Sequence, residues 1–313
     1  MADKGTIGVI GAGVMGRGIA QIFAVHGFSV RLMDVQSDSL QAVPDQMRAA
    51  LTLMAANGIG NTAEIEPAIR RVHCTTSLTE AASRVNFVVE AVFEKLDLKQ
   101  KVFQELDSVC GADTILATNT SVISITEIAA KAVHRHRIVG THFWMPPYLI
   151  PLVEVVKGRD TSEEVMAATF ALLKSVGKHP VRVNKDVPGF VANRLQHALW
   201  REAISIVERG IADPATVDEC IRYGFGLRLP CLGPMENADM AGTDLTLSIH
   251  SYILKHLESS PEPSPLLKSI VEQNRFGFKT GKGFQEWTPE QVEQSKTRLT
   301  EYLIGAVKNL SGG

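Results

Sequence analysis

An apolar run, Ile7-Gly8-Val9-Ile10, stops at Gly11-Ala12-Gly13-Val14-Met15-Gly16, and a helical pattern begins at once. No other stretch constrains the fold as tightly. In a strand–turn–helix context each glycine answers a steric need. Gly11 permits the tight turn, Gly13 lets the backbone approach a pyrophosphate, and Gly16 allows close packing of helix on strand. The amides of Val14 and Met15 then belong to a first helical turn, where unpaired N–H groups and the positive end of the helix dipole favour phosphate. The next apolar stretch, 29–33, ends at Asp34, near the spacing of about 20 residues at which a carboxylate accepts the adenosine ribose hydroxyls. Asp34 would repel a 2′-phosphate, and Val35-Gln36-Ser37 offers no arginine to hold one. The residues therefore predict a dinucleotide site that takes NAD rather than NADP.

The rest of the first half repeats the alternation. Strands are expected at 6–10, 29–33, 86–91, 114–118, 137–141, 152–156 and 180–183, with helices such as 17–26 and 95–108 between them. Strand alternating with helix predicts a doubly wound, mostly parallel sheet of Rossmann type, covered on both faces. Beyond Asp186-Val187-Pro188-Gly189 the pattern becomes helical. Phe190, Val191, Leu195, Leu199, Ile204 and Val207 recur at three- and four-residue steps, and further helices are expected at 216–222, 244–256 and 289–308. The fold class is thus α/β, with a Rossmann domain over 1–185 and a smaller all-α domain over 186–313 for substrate and dimerisation.

Composition narrows the function classes. A formal net charge of -2 gathers no nucleic acid. Nothing near the N-terminus reads as a signal or transit segment, and no apolar stretch approaches the roughly 18 residues of a membrane span. Cys74, Cys110, Cys220 and Cys231 are scattered, as expected of reduced thiols in a cytoplasmic protein without a disulfide framework or metal site.

An alcohol dehydrogenase needs a base for the hydroxyl proton while hydride leaves carbon. A Tyr-x-x-x-Lys pair is absent, as is the Lys-x-x-x-Asn arrangement of β-hydroxyacid dehydrogenases. There remains His142, at the end of an expected strand, where open α/β sheets bind ligands. Twelve residues later Glu154 interrupts the apolar run Leu152-Val153-Glu154-Val155-Val156. Burying it without a partner is costly, and a hairpin would bring it to the imidazole. Spacing alone leaves open the alternative of an ordinary histidine and a solvated edge glutamate.

Several segments, in order, resemble the L-3-hydroxyacyl-CoA dehydrogenase family: GAGVMGRGIA (11–20), NFVVEAVFEKLDLK (86–99), ATNTS (117–121), THFWMPPYLIPLVEVV (141–156), VPGFVANR (187–194), GPMENADMAG (233–242) and FGFKTGKGF (276–284). The resemblance implies NAD-dependent oxidation of a 3-hydroxyacyl secondary alcohol to the 3-keto compound, in fatty-acid metabolism, by a homodimer. It implies His142 as catalytic base, Glu154 as its orienting carboxylate, and Ser121 and Asn193 as residues that position the substrate oxygen. It places Glu94, Lys99 and Lys279 at the nicotinamide end of the cofactor.

Three positions differ from the family pattern. Its Asn three residues after the base is Met145, its Lys before the Leu-Val-Glu run is Pro151, and the stretch 49–57, where it carries CoA-binding serine and lysines, has no cation. The Pro-Pro-Tyr turn and Ile-Pro-Leu-Val-Glu run resemble instead the lambda-crystallin and L-gulonate dehydrogenase branch. Two alternatives therefore stand beside the acyl-CoA reading: the same chemistry on a small free hydroxy acid or alcohol, and a non-catalytic NAD-binding or crystallin-like protein.

Overall fold

A computed structural model describes residues 4–311. It contains one eight-stranded sheet: β1 (Thr6–Ile10), β2 (Ser29–Met33), β3 (Val72–Thr75), β4 (Phe87–Glu90), β5 (Ile115–Thr118), β6 (Ile138–Phe143), β7 (Leu152–Val156) and β8 (His179–Val183). Their spatial order is β3-β2-β1-β4-β5-β6-β7-β8. All neighbouring pairs are parallel except β6 with β7. The order reverses between β1 and β4, and the crevice at such a switch point is where doubly wound sheets take a dinucleotide.

Alternation along the strands fills both faces. Ile7, Val9, Val30 and Leu32 pack on one side with Ile19 and Phe23 of helix α1 (Val14–Val25). Ile10, Val88 and Leu116 pack on the other with Phe103 and Leu106 of the helix Leu96–Val109. Strands buried on both faces have to read as apolar runs, which is why six of them stand out in the sequence along with β8. β3 does not: its His73 and Cys74 are exposed at the sheet edge, so it carries no apolar pattern.

The chain divides into two compact units, one running to Asn193 and including the segment from Thr300, the other Arg194–Leu299. The sequence pattern changes near 185, whereas the division falls two residues into the helix Ala192–Glu208. The reason is local: the amides of Val191 and Ala192 are bound by Glu154 of β7. The return of the last segment was not expected either. Ile304 is buried, and Val307 and Leu310 line a cavity with Leu51, Met54 and Ile22, so the end of the helix Pro289–Ser311 belongs to the first unit.

Taken by itself, the second unit comprises most of the helix Ala192–Glu208 and the helices Pro214–Tyr223, Pro234–Ala241, Thr243–Ile253 and Pro265–Glu272. Asp213 and Ser264 cap two of these through the amides of Thr216 and Leu267. Many large apolar side chains on it are exposed, among them Leu227, Met240, Leu247 and Tyr252.

Candidate active site

The turn after β1 fits a dinucleotide pyrophosphate. Gly11 has φ +104°, and a Cβ there would sit 2.6 Å from the carbonyl oxygen of Ala91. A Cβ on Gly16 would fall 1.8 Å from the oxygen of Gly11, whereas one on Gly13 meets nothing within 4 Å. The turn is therefore closed toward the protein and open on the side where a phosphate approaches. Gly13 is also the N-cap of α1 and supplies no side chain to the first amides, which leaves those of the Val14–Met15 turn to a ligand.

Asp34 ends β2 beside this turn. Its Oδ2 accepts the amide of Ala12 at 2.7 Å and its Oδ1 that of Gln36 at 3.0 Å. The carboxylate is thus aimed before any ligand arrives, and it keeps lone pairs for two ribose hydroxyls. Asp34→Ala is expected to weaken NAD binding by roughly tenfold or more, the worth of one or two charge-assisted hydrogen bonds. Titration of protein fluorescence with NAD checks this, and an unchanged affinity would remove Asp34 from the site.

His142 and Glu154 lie directly opposite each other in the antiparallel β6–β7 register. The imidazole Nδ1 is 2.8 Å from Glu154 Oε2, and both residues are buried. Glu154 Oε1 accepts the amides of Val191 and Ala192, each at 3.0 Å. Burial works against the charged form of Glu154, but His142 and these two amides outweigh it and hold the carboxyl below its usual range. With Nδ1 turned to the carboxylate, it is Nε2 that is left to exchange a proton with a substrate. Trp144 and Phe190 pack on the imidazole, with ring centroids at 5.2 Å and 5.8 Å.

The loop after β5 is tied to both neighbouring strands. Asn119 Oδ1 accepts the amide of Phe143, the residue after His142, at 2.9 Å. Ser121 donates its amide to Glu94 Oε1 at 2.9 Å, and its carbonyl accepts Asn193 Nδ2 at 3.0 Å. Glu94 also accepts the Thr120 hydroxyl and the Val122 amide. Burial disfavours its charge, yet these donors and Lys99 hold its carboxyl below the usual range.

Lys99, expected beside the nicotinamide, is instead enclosed. It is 1% exposed, with its ammonium 2.8 Å from Glu90 Oε1 and 3.3 Å from Glu94 Oε2. Lys279 stands exposed in a turn of the second unit. Among the described residues there is no group of three or more His, Cys, Asp or Glu that would hold a metal ion, and no helix long and apolar enough to cross a membrane. All four cysteines are free.

Sequence reasoning passed over Glu90, Thr118, Trp144 and Phe190. Glu90 carried a usable signal, the same one that exposed Glu154: a carboxylate inside an apolar strand, Phe87-Val88-Val89-Glu90.

Comparison with known proteins agrees with the geometry. Residues 6–187 match the family described as 3-hydroxyacyl-CoA dehydrogenase, NAD binding domain, and residues 189–287 match 3-hydroxyacyl-CoA dehydrogenase, C-terminal domain. The chain is similar to 5-formyl-3-hydroxy-2-methylpyridine 4-carboxylate 5-dehydrogenase of Mesorhizobium japonicum, with 35% identity over 98% of both chains. It is also similar to a probable 3-hydroxybutyryl-CoA dehydrogenase of Bacillus subtilis, with 39% identity over 89% of this chain and 96% of the relative. A crystal structure of the pyridine-carboxylate dehydrogenase, described as an NAD+-dependent dismutase, superposes with a TM-score of 0.91 over 98% of each chain at 35% identity. That of (S)-3-hydroxybutyryl-CoA dehydrogenase from Ralstonia eutropha gives 0.74 over 90% of this chain and 99% of the other, at 34% identity. With a glycine turn and Asp34 suited to NAD, and both halves matched, the chain belongs to the 3-hydroxyacyl-CoA dehydrogenase family of NAD-dependent oxidoreductases acting on CH–OH groups.

Proposed function

We propose that the protein oxidises the secondary alcohol of a 3-hydroxyacyl-CoA to the 3-keto compound, reversibly, with His142 as the base. The observation that carries this reading is the buried His142–Glu154 pair at the end of β6. His142 Nε2 takes the hydroxyl proton, and Glu154 fixes the tautomer and stabilises the imidazolium that forms. Ser121 and Asn193 position the reacting oxygen. When bound, NAD+ supplies the acceptor for the hydride. Gly11, Gly13 and Gly16 leave room for its pyrophosphate, the Val14 and Met15 amides and Asp34 hold its adenosine side, and Glu94, Lys99 and Lys279 serve the nicotinamide end, Lys99 through Glu94.

A second reading keeps this machinery and replaces the acyl-CoA by a small free hydroxy acid or alcohol. Two observations favour it: the closer superposition on the pyridine-carboxylate dehydrogenase, and the charge of the helix Val43–Ala56. Arg48, the cation of that helix, is taken up by Asp45 at 2.6 Å and Glu66 at 2.7 Å. Each missing contact to a CoA phosphate would forfeit about 1.5–3 kcal/mol. Steady-state kcat/KM on 3-hydroxybutyryl-CoA against free 3-hydroxybutyrate separates the readings. The acyl-CoA reading expects the ester to be preferred by at least about 10²-fold, the worth of one or two such contacts; turnover of free acids alone would sink it.

The number of exposed large apolar side chains on the second unit, Leu227, Met240, Leu247 and Tyr252 among them, supports a homodimer that would cover them. The free cysteines suit the reducing cytoplasm. With an acyl-CoA substrate, the place of the reaction is in fatty-acid metabolism.

A further inference from the structure

Glu90 and Lys99 form a fully buried ion pair in the middle of the first unit, with side chains 0% and 1% exposed. Every polar atom of the pair is engaged. Glu90 Oε1 accepts Lys99 Nζ at 2.8 Å and the Val92 amide at 2.7 Å, and Oε2 accepts the Thr118 hydroxyl at 2.6 Å. The Lys99 ammonium has two further partners, the Val92 carbonyl at 3.5 Å and Glu94 Oε2 at 3.3 Å. Among the described residues Lys99 is the one cation within 4.0 Å of either carboxylate.

Two carboxylates share one ammonium, and they are placed differently. Glu90 ends β4 and is packed in the sheet. Glu94 follows it on the connection to the helix Leu96–Val109, beyond the Ala91 amide that still donates to the Ile10 carbonyl of β1, and is partly exposed. The segment after β5 continues the ladder for one residue, the Asn119 amide donating to the Glu90 carbonyl at 2.7 Å. Beyond Asn119 the two are joined by Glu94 Oε1, which accepts the Thr120 hydroxyl at 2.5 Å, the Ser121 amide at 2.9 Å and the Val122 amide at 3.2 Å. Lys99 lies in the first turn of a helix anchored by Val102 and Phe103 in the core. The polar chain therefore runs from rigid elements outward: β4, Glu90, Lys99, Glu94, the 120–122 segment, and through the Ser121 carbonyl to Asn193.

We propose that Glu90 and Lys99 are positioning residues for the reaction: their buried pair holds Glu94 against residues 120–122 and so sets where Ser121 and Asn193 stand. The proposal rests on the reading of Ser121 and Asn193 as the groups that place the reacting oxygen. The pair does more than neutralise itself, because an isolated Glu90–Lys99 couple would leave Oε2 of Glu94 without its cation.

The experiment has a structural arm and a kinetic arm, so that failure of the two readings can be told apart. In the structural arm, hydrogen exchange is followed at the amides of Ser121 and Val122, which Glu94 protects. Lys99→Met is expected to speed their exchange at least about tenfold while β1 and β6 amides keep their protection; unchanged exchange at 121 and 122 overturns the proposal. In the kinetic arm, Lys99→Met and Glu94→Gln are each expected to lower kcat, by up to about 10²-fold, the scale of a misplaced reacting group. KM for the substrate should move far less. If Lys99 acts through Glu94, the double variant loses no more than the worse single variant, whereas multiplicative losses overturn the proposal. Should Lys99→Met fail to fold, Glu90→Gln with Lys99→Met removes both buried charges together. That variant is expected to show the same loss of kcat and the same faster exchange, and normal values of either overturn the idea. Ser121→Ala, assayed alongside, speaks to the functional reading alone: an unchanged kcat there refutes Ser121's role whatever the exchange data show.

Discussion

Replacing His142 by Gln is expected to lower kcat on the order of 10³-fold while leaving the dissociation constant for NAD within a factor of about three. The reason lies in the geometry around the ring. Nδ1 points at Glu154 Oε2, 2.8 Å away, in a pair that is almost wholly buried. Glutamine fills similar volume and its amide N–H still reaches the carboxylate, so the β6–β7 pairing and the Val191–Ala192 contacts are preserved. What is lost is a nitrogen that can accept a proton and return it. A 10³-fold loss corresponds to about 4 kcal/mol of transition-state stabilisation, within the range for a positioned general base. The groups proposed to hold the adenosine side and pyrophosphate of NAD, the glycine turn and Asp34, have no hydrogen bond to either residue. The measurement pairs steady-state rates with a fluorescence titration of NAD. A variant as fast as the unsubstituted protein would remove His142 from the chemistry and return the non-catalytic alternative to the front.

The sequence revealed the parts of this site whose chemistry conflicts with their surroundings. A glycine turn at the end of an apolar strand has few uses, and Asp34 one strand later specifies one of them. Glu154 stood out because a carboxylate in a buried run demands a partner, and the β6–β7 register supplies His142 directly opposite. Glu90 obeyed the same rule and was passed over, since its partner, Lys99, is nine residues away on a helix whose charges Asp97, Lys101 and Glu105 face water. Trp144 and Phe190 gave no signal because aromatic residues are ordinary core material. Their contact with the imidazole depends on the turn after β6 and on the positive φ of Phe190, +48°, which a spacing argument does not reach. Of the strands, β3 was hidden by its exposed edge position. The place of the last helical segment was hidden because an apolar stripe shows that a face is covered without showing by what.

Replacing Glu154 by Gln is expected to have an effect at least as large, and to change two properties at once. Glutamine keeps the shape and leaves one oxygen to accept the Val191 and Ala192 amides. Its amide nitrogen then faces His142 Nδ1, which must accept, and the proton moves to Nε2, the atom needed as base. Loss of the correct tautomer is worth on the order of 10³–10⁴-fold in kcat. Stability changes with a definite sign. Burial works against the charged Glu154, and the His142 hydrogen bond with the Ala192 and Val191 amides overrides it, so the folded carboxyl titrates below the ordinary 4.5. A depressed folded value means the group stabilises the protein fully above about 4.5 and loses that contribution as pH falls through the folded value. At pH 7 Glu154→Gln should therefore be less stable by about 1–3 kcal/mol, the range for a hydrogen bond to a charged group or a buried group left unpaired. In acid the gap should narrow, because the unsubstituted protein loses what the variant never had. Denaturant unfolding of both proteins at pH 7 and near pH 4 measures the difference. A gap equally wide at both values would show that the Glu154 charge contributes nothing to the fold and would leave only its role in orienting His142, which the rate of the same variant tests separately.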